Sequence, residues 1–195
     1  MSDESILKET SNRYPSRKKR NLGSNTKEKK KSKAWSEIKL FGMRLVAMIL
    51  ILYIMFGVLF GLIPMPNADM KPKIAAGDLM LFYRLDQTYQ IGDVLVYTKE
   101  NKTYVGRVVA KEGDEVNISK DHQLQVNGNT VMETDIYYPT GEYEDGISLP
   151  VTVPSQSYFL LCDLREGGKD SRIFGTVNRQ EISGKVMTVI RRSGI

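Results

Sequence analysis

The sequence predicts a mainly β extracytoplasmic domain behind one N-terminal membrane-spanning helix. Three observations predict it. Leu45 to Ile63 is a nineteen-residue run without a charge, a strong excess of basic residues precedes it, and short stretches rich in β-branched and aromatic residues follow it, separated by turn signals. These features divide the 195 residues into a basic tail over 1–42, a membrane anchor over 43–64 and a β domain over 65–195.

The tail is read from its charge. Residues 1–65 hold thirteen Lys or Arg and five Asp or Glu, and the remainder hold fifteen and eighteen, which together give the formal +5. The densest runs are "SRKKR" (Ser16 to Arg20) and "KEKKKSK" (Lys27 to Lys33). Up to about residue 36 there is too little apolar surface to offset chain entropy, so this segment is expected to be disordered. A basic chain suggests nucleic acid. Here the excess is confined to the tail, so the domain has no general phosphate-binding surface and no nucleic-acid partner is expected. The single Cys162 excludes an intramolecular disulfide, and with the single His122 it argues against a metal site. No cofactor is expected.

The anchor is read from length. At 1.5 Å per residue, a helix of nineteen residues nearly crosses a hydrocarbon core of about 30 Å. Lys39 and Arg44 flank its start, and Pro64 and Pro66 its end. The basic residues before it place the N-terminus in the cytoplasm and the domain outside. The competing reading is a cleavable signal peptide with Ala68 before the cut, but its hydrophobic region would exceed the usual length. Gly57 and Gly61 form a small-xxx-small pair, a spacing that lets two helices pack and offers a route to a homodimer.

The domain is read from alternating strands and turns. Leu79 to Leu85, Asp93 to Lys99, Thr103 to Lys111, Ser157 to Leu164 and Gly184 to Arg192 read as strands. Gly77-Asp78, Gly92-Asp93, Asn101 and Gly113-Asp114 mark turns. Leu124 to Val131 reads as a hairpin about Asn127-Gly128, a pair suited to a type I′ turn. Asp135 to Gly146 reads as a loop, and no segment after Met65 carries a sustained helical period.

Three stretches carry more specific information. "DMKPKIAAGD" (Asp69 to Asp78), "YVGRVVAKEGDEV" (Tyr104 to Val116) and "DSRIFG" (Asp170 to Gly175) occur in this order, with Gly92-Asp93 opening a strand between the first two. They resemble the successive boxes of bacterial type I signal peptidases, the Ser/Lys-dyad proteases that remove secretory signal peptides. The resemblance runs from the anchor to about Gly184. It implies a signal-peptidase-like β domain.

In that family the first box reads Ser-Met-x-Pro with the serine as nucleophile. Met70 and Pro72 match it, but Asp69 stands at the serine position. The next box places the general-base lysine before an Arg-Val pair. Arg107 and Val108 match it, but Gly106 stands at the lysine position. Asp170, Ser171, Arg172, Phe174 and Gly175 match the last box, which in active relatives helps hold the lysine. In "CDLR", Cys162 and Leu164 replace the usual Gly and Asn. Asn67 lies two residues before the nucleophile position, near the oxyanion site of relatives.

The chemistry of these changes stands by itself. A Ser/Lys dyad needs a hydroxyl and a neutral, desolvated amine. Asp69 has no hydroxyl, its charge would repel an oxyanion, and Gly106 has no side chain. Lys71 and Lys111 read as solvated surface residues, and His122 as part of a polar turn. Ser171 reads as structural. A two-aspartate mechanism would need a second carboxylate facing Asp69, for which Asp170 or Asp163 are the candidates, but the D-T-G-like turns of aspartic dyads are absent. No catalytic residue is therefore expected; Asn67, Asp69, Met70, Pro72, Gly106, Arg107, Asp170, Ser171 and Arg172 are the candidate lining of a surviving cleft, with room left by the lost lysine. The paired Asp and Gly replacements resemble the SipA subgroup encoded in pilus loci of Gram-positive bacteria. That resemblance implies an accessory, chaperone-like role in pilus assembly, with the major pilin and a pilus sortase as partners.

Overall fold

The computed structural model describes residues 24–134 and 136–191. The Ser16 to Arg20 run and the rest of 1–23 lie outside the described residues. The chain divides into two units, Met1–Ile49 and Leu50–Ile195. Helix α1, Ser24–Tyr53, continues into a π-helical segment, Ile54–Leu59, where the Phe60 N–H donates to Met55 O. The helical stretch Lys33–Leu59 is long and apolar enough to cross a membrane, with a mean hydropathy of 2.3 over its most apolar eighteen residues.

Two expectations are corrected here. The segment from Ser24 onward is helical, not disordered, so the Lys27–Lys33 run lies on α1. Lys and Glu are good helix formers, and a helix already nucleated by the apolar run extends at little cost. The anchor's last residues are not helical either. Phe60–Pro64 form strand β1, paired antiparallel with β2 (Leu79–Tyr83) from Phe60 opposite Tyr83 to Pro64 opposite Leu79. Gly61 is therefore a strand glycine and no longer shares a helix face with Gly57. A Cβ at Gly61 would lie 2.2 Å from Phe82 Cζ, so the close approach of the two strands requires glycine there.

The domain holds two sheets. Strands β3 (Val94–Lys99), β4 (Lys102–Lys111), β9 (Ser157–Leu161), β10 (Val177–Asn178) and β11 (Ile182–Ile190) complete a seven-stranded sheet in the order β1-β2-β11-β3-β4-β9-β10. Strands β5 (Glu115–Ile118), β6 (Leu124–Val126), β7 (Asn129–Thr130) and β8 (Val151–Thr152) form a smaller one, ordered β7-β6-β5-β8. Asn127 and Gly128, at φ 53° and 74°, make the turn between β6 and β7, as the Asn-Gly pair predicts. The single turn of helix α2, Ser171–Phe174, carries Asp170 as its N-cap.

Period-two alternation distributes the core. Val96 and Val105 face one cluster with Met65, Met70, Met80, Phe82 and Cys162. Leu95, Tyr97, Tyr104, Val108 and Leu160 face another. The pairing of β4 with β9 shifts between Val108 and Ala110. Around that bulge, Val109, Ala110, Phe159 and Leu161 turn toward Val116 and Leu124 of the small sheet.

Candidate functional site

The segment holding Asp69 is a closed loop. The Met65 N–H donates to Asp78 O at 2.8 Å and the Gly77 N–H donates to Met65 O at 2.9 Å. The Asp78 carboxylate accepts from the Ala75 N–H at 2.9 Å, which explains the Gly-Asp turn. Met70 and Ile74 are buried in the core and pin the loop from inside. The Asp69 carbonyl accepts from the Leu164 N–H at 2.8 Å, so the loop also docks on the "CDLR" segment.

The Asp69 carboxylate is half-buried and already committed. Asn67 Nδ2 donates to Oδ2 at 2.8 Å, and the Asp69 N–H donates back to Asn67 Oδ1 at 3.1 Å. Burial raises its pKa above the ordinary value; the Asn67 amide and the Lys169 backbone N–H oppose the rise, and the charge of Asp170 adds to it. Asp170 cannot share a proton with Asp69 as an aspartic dyad would. Both its oxygens receive donors from Arg172, Nε to Oδ1 at 2.9 Å and a terminal nitrogen to Oδ2 at 2.8 Å. Asp163 is likewise held, in a bidentate pair with Arg107 at 2.8 and 2.5 Å.

Gly106 sits opposite Leu95 in the β3–β4 ladder. A Cβ there would meet Leu160 Cβ at 3.2 Å and Tyr97 Cε1 at 3.3 Å. The space expected from a lost lysine is therefore filled, and the Tyr97 ring lies against this glycine. Tyr97 is fully buried and its hydroxyl has no hydrogen-bond partner. Burial is the main reason its pKa is raised, with the charge of Asp170 next. Cys162 Sγ lies 3.0 Å from both Asp170 Oδ2 and Leu164 O. Burial first, and then Asp170, push the thiol up and keep it neutral.

Four other candidates are buried, and of them Arg172 borders a cleft of ≈ 240 Å³ beside Gly141 and Tyr143. Met70, Asp170 and Ser171 are 0% exposed and Arg172 is 2% exposed. They hold the site from beneath, because a buried guanidinium is tolerable only with its partners in place. Ser171 Oγ accepts from the Leu160 N–H at 2.9 Å and has no access to a substrate. Pro72 and Lys71 are exposed on the loop, Lys111 is exposed at the end of β4, and His122 is exposed in its turn. Arg107 ties β4 to Asp163 and, through the Gly92 carbonyl at 2.8 Å, to the turn before β3. It borders clefts of ≈ 580 and ≈ 230 Å³, and neither is lined by Asp69 or Gly106. Among the described residues no three His, Cys, Asp or Glu side chains gather to hold a metal ion.

The residues missed by sequence reasoning are Tyr97, Tyr143 and Arg165. Tyr97 reaches Gly106 through strand register, which no local motif encodes. Tyr143 and Arg165 meet across 22 residues of chain, where the Tyr143 hydroxyl reaches the Arg165 carbonyl.

Residues 38–190 match the family described as signal peptidase, peptidase S26. The chain belongs to that family. A relative named "Inactive signal peptidase IA", from Staphylococcus aureus strain COL, is 26% identical over 152 residues, covering 73% of this chain and 84% of its own. "Signal peptidase I" of Bacillus amyloliquefaciens is 33% identical over 103 residues, covering 49% of this chain and 55% of its own. A crystal structure of a signal peptidase I from Enterococcus faecalis V583 aligns with 52% of this chain and 98% of its own, at 25% identity and a TM-score of 0.43. Within the signal peptidase family this chain is a pseudoenzyme. Asp69, which the motif resemblance sets at the nucleophile position, is a hydrogen-bonded carboxylate, and Gly106, which it sets at the base position, is walled in by Leu160 and Tyr97.

Proposed function

We propose that this signal peptidase relative is a non-catalytic accessory factor for the assembly of sortase-linked surface pili, holding a pilin or sortase segment without cleaving it. The observation that carries the non-catalytic part is the absence of any hydroxyl and amine pair at Asp69 and Gly106. The pilus part is supported by the resemblance of that paired replacement to the SipA subgroup. The strand pattern supports a docking place for such a segment. Strand β9 pairs with β4 only from Arg107 onward, so among the described residues no strand pairs with Lys102–Gly106 on that side, where Lys102 and Thr103 are exposed. An extended peptide adds to such an edge through its backbone. Met65 and Met70 of the Asp69 loop pack with Val105 of the same stretch.

The test is the polymer ladder of cell-wall pili in three strains: wild type, a deletion, and Ala68→Trp. Ala68 is half-buried beside Asp69, and the bulky ring obstructs the loop without removing the Asn67–Asp69 hydrogen bonds. Expression and melting are checked first. Loss of the ladder in the deletion supports the pilus reading, and loss in a folded Ala68→Trp protein supports the loop and β4 edge as the working surface. Normal pili in the deletion strain would overturn the pilus role and leave a membrane-tethered binding domain with another client.

A further inference from the structure

The 131–146 loop combines three properties that the function proposed above does not use. It is anchored from below by two buried arginines. Arg165 is 1% exposed; one terminal nitrogen donates to Thr140 Oγ1 at 2.9 Å and the other is ion-paired with Glu133. Arg172 donates to Gly141 O at 2.9 Å, and its guanidinium lies 4.5 Å from the centre of the Tyr143 ring. The Tyr143 hydroxyl donates to Gly168 O at 2.8 Å, and the Ile147 N–H to Arg172 O at 2.8 Å. A loop held this way has little freedom left to lose on binding.

The fixed loop displays apolar side chains to solvent. Met132 is 91% exposed, Tyr137 74% and Tyr138 41%. Met132 also borders the ≈ 230 Å³ cavity, together with Ile91, Val109, Val131 and Ile136. Met and Tyr are residue types enriched in protein interfaces, and a cavity of this kind accepts a single large apolar side chain.

The loop's charge points to the partner. Residues 131–146 carry five acidic residues and no basic one, whereas the rest of 66–195 holds fifteen basic and thirteen acidic residues. Arg165 neutralises Glu133, but Glu142, Glu144 and Asp145 are exposed. Cations also bind the faces of exposed tyrosines.

We propose that the 131–146 loop docks an extended partner segment in which one large apolar side chain is flanked by lysines or arginines. The apolar side chain enters the Val131–Ile136 cavity, and the cations meet Glu142, Glu144, Asp145 and the tyrosine rings. The cavity is also bordered by Arg107 and Val109 of β4, and the proposal stands whether or not the client belongs to a pilus.

The experiment uses the full chain in nanodiscs of zwitterionic lipid, so that the bilayer itself attracts no cation. The probes are a fluorescent peptide with one leucine among lysines, its counterpart with glutamates for the lysines, and its counterpart with serine for the leucine. The lysine-leucine peptide is expected to bind saturably, and more weakly as salt rises. Combined Glu142→Lys, Glu144→Lys and Asp145→Lys should weaken it by about tenfold or more, as expected for reversed interface charges. Tyr137→Ser, a change at an exposed side chain, should also weaken it. No saturable binding, equal binding of the glutamate or serine peptide, or binding unchanged in either folded variant would overturn the proposal.

Discussion

Asp69 is a carboxyl group in a place built for a hydroxyl, and its surroundings show the cost. Burial is the largest influence on it, so the folded state holds the Asp69 proton more tightly than the unfolded chain does. Stability from that proton is full below the ordinary value of 3.8 and is lost as the pH rises through the raised folded value. Asp69→Asn keeps the amide-to-side-chain hydrogen bonds and removes the charge. It should raise the melting temperature slightly at neutral pH, with the gain vanishing as the pH falls toward 3.8; a neutral-pH loss would refute this account. The gain is small because a half-exposed group is screened by solvent. A second prediction concerns chemistry. Removing members of a catalytic unit costs up to about a millionfold. Asp69→Ser alone should leave preprotein uncleaved because no base faces the new hydroxyl. Gly106→Lys alone should also fail, and it must displace Leu160 and Tyr97 by a few tenths of an ångström to fit. The double change is expected to give at most slow cleavage; restoration by either single change would contradict the paired-loss reading.

At the scale of elements, the boundary between helix and sheet decides what Gly57 and Gly61 do. Gly57 lies in the π-helical segment, where a Cβ would meet only the Tyr53 ring at an ordinary 3.5 Å. Gly61 lies in β1, where the same atom would overlap the Phe82 ring. Gly57→Ala should therefore be tolerated, and Gly61→Ala should destabilise the domain by about 1–3 kcal/mol, the usual cost of overpacking. Chemical denaturation of the two variants separates this from a helix-pairing role, which would penalise dimerisation in both and stability in neither. The hairpin at Asn127-Gly128 was legible because its turn is local: two adjacent residues with positive φ specify it. Strand β1 was not legible. Its sequence, Phe60-Gly61-Leu62-Ile63-Pro64, continues the apolar run, and periodicity alone does not separate a buried helix end from a short apolar strand. Its pairing with β2 makes the difference.

At the scale of the whole molecule, the topology we propose places residues 1–42 in the cytoplasm and the β domain outside. It follows from the thirteen basic residues in the first 65 and the helix that carries the apolar run. In intact protoplasts, added protease should remove the domain and spare a tag at Met1. Protection of a C-terminal tag in sealed cells would reverse the assignment. Helix α1 extends back to Ser24 and carries the Lys27–Lys33 run.

The amino-acid sequence by itself determined the long apolar helix, the β class, the hairpin turn and the side chains present at positions 69 and 106, because each depends on residue identity or on neighbours along the chain. Asp69 lacks a hydroxyl and Gly106 lacks an amine in any fold. Only the tertiary structure decided what occupies the vacated place. Tyr97 reaches Gly106 because the β3–β4 register sets Gly106 opposite Leu95, and Leu160 arrives from β9, more than fifty residues later. The same holds for the polar frame. Asp170, Ser171 and Arg172 were recognisable as a motif, but their burial, and the grip of Arg172 and Arg165 on the 131–146 loop, arise from contacts between segments far apart in the chain. A buried charge must find its partners wherever the fold brings them, and no local pattern records where that will be.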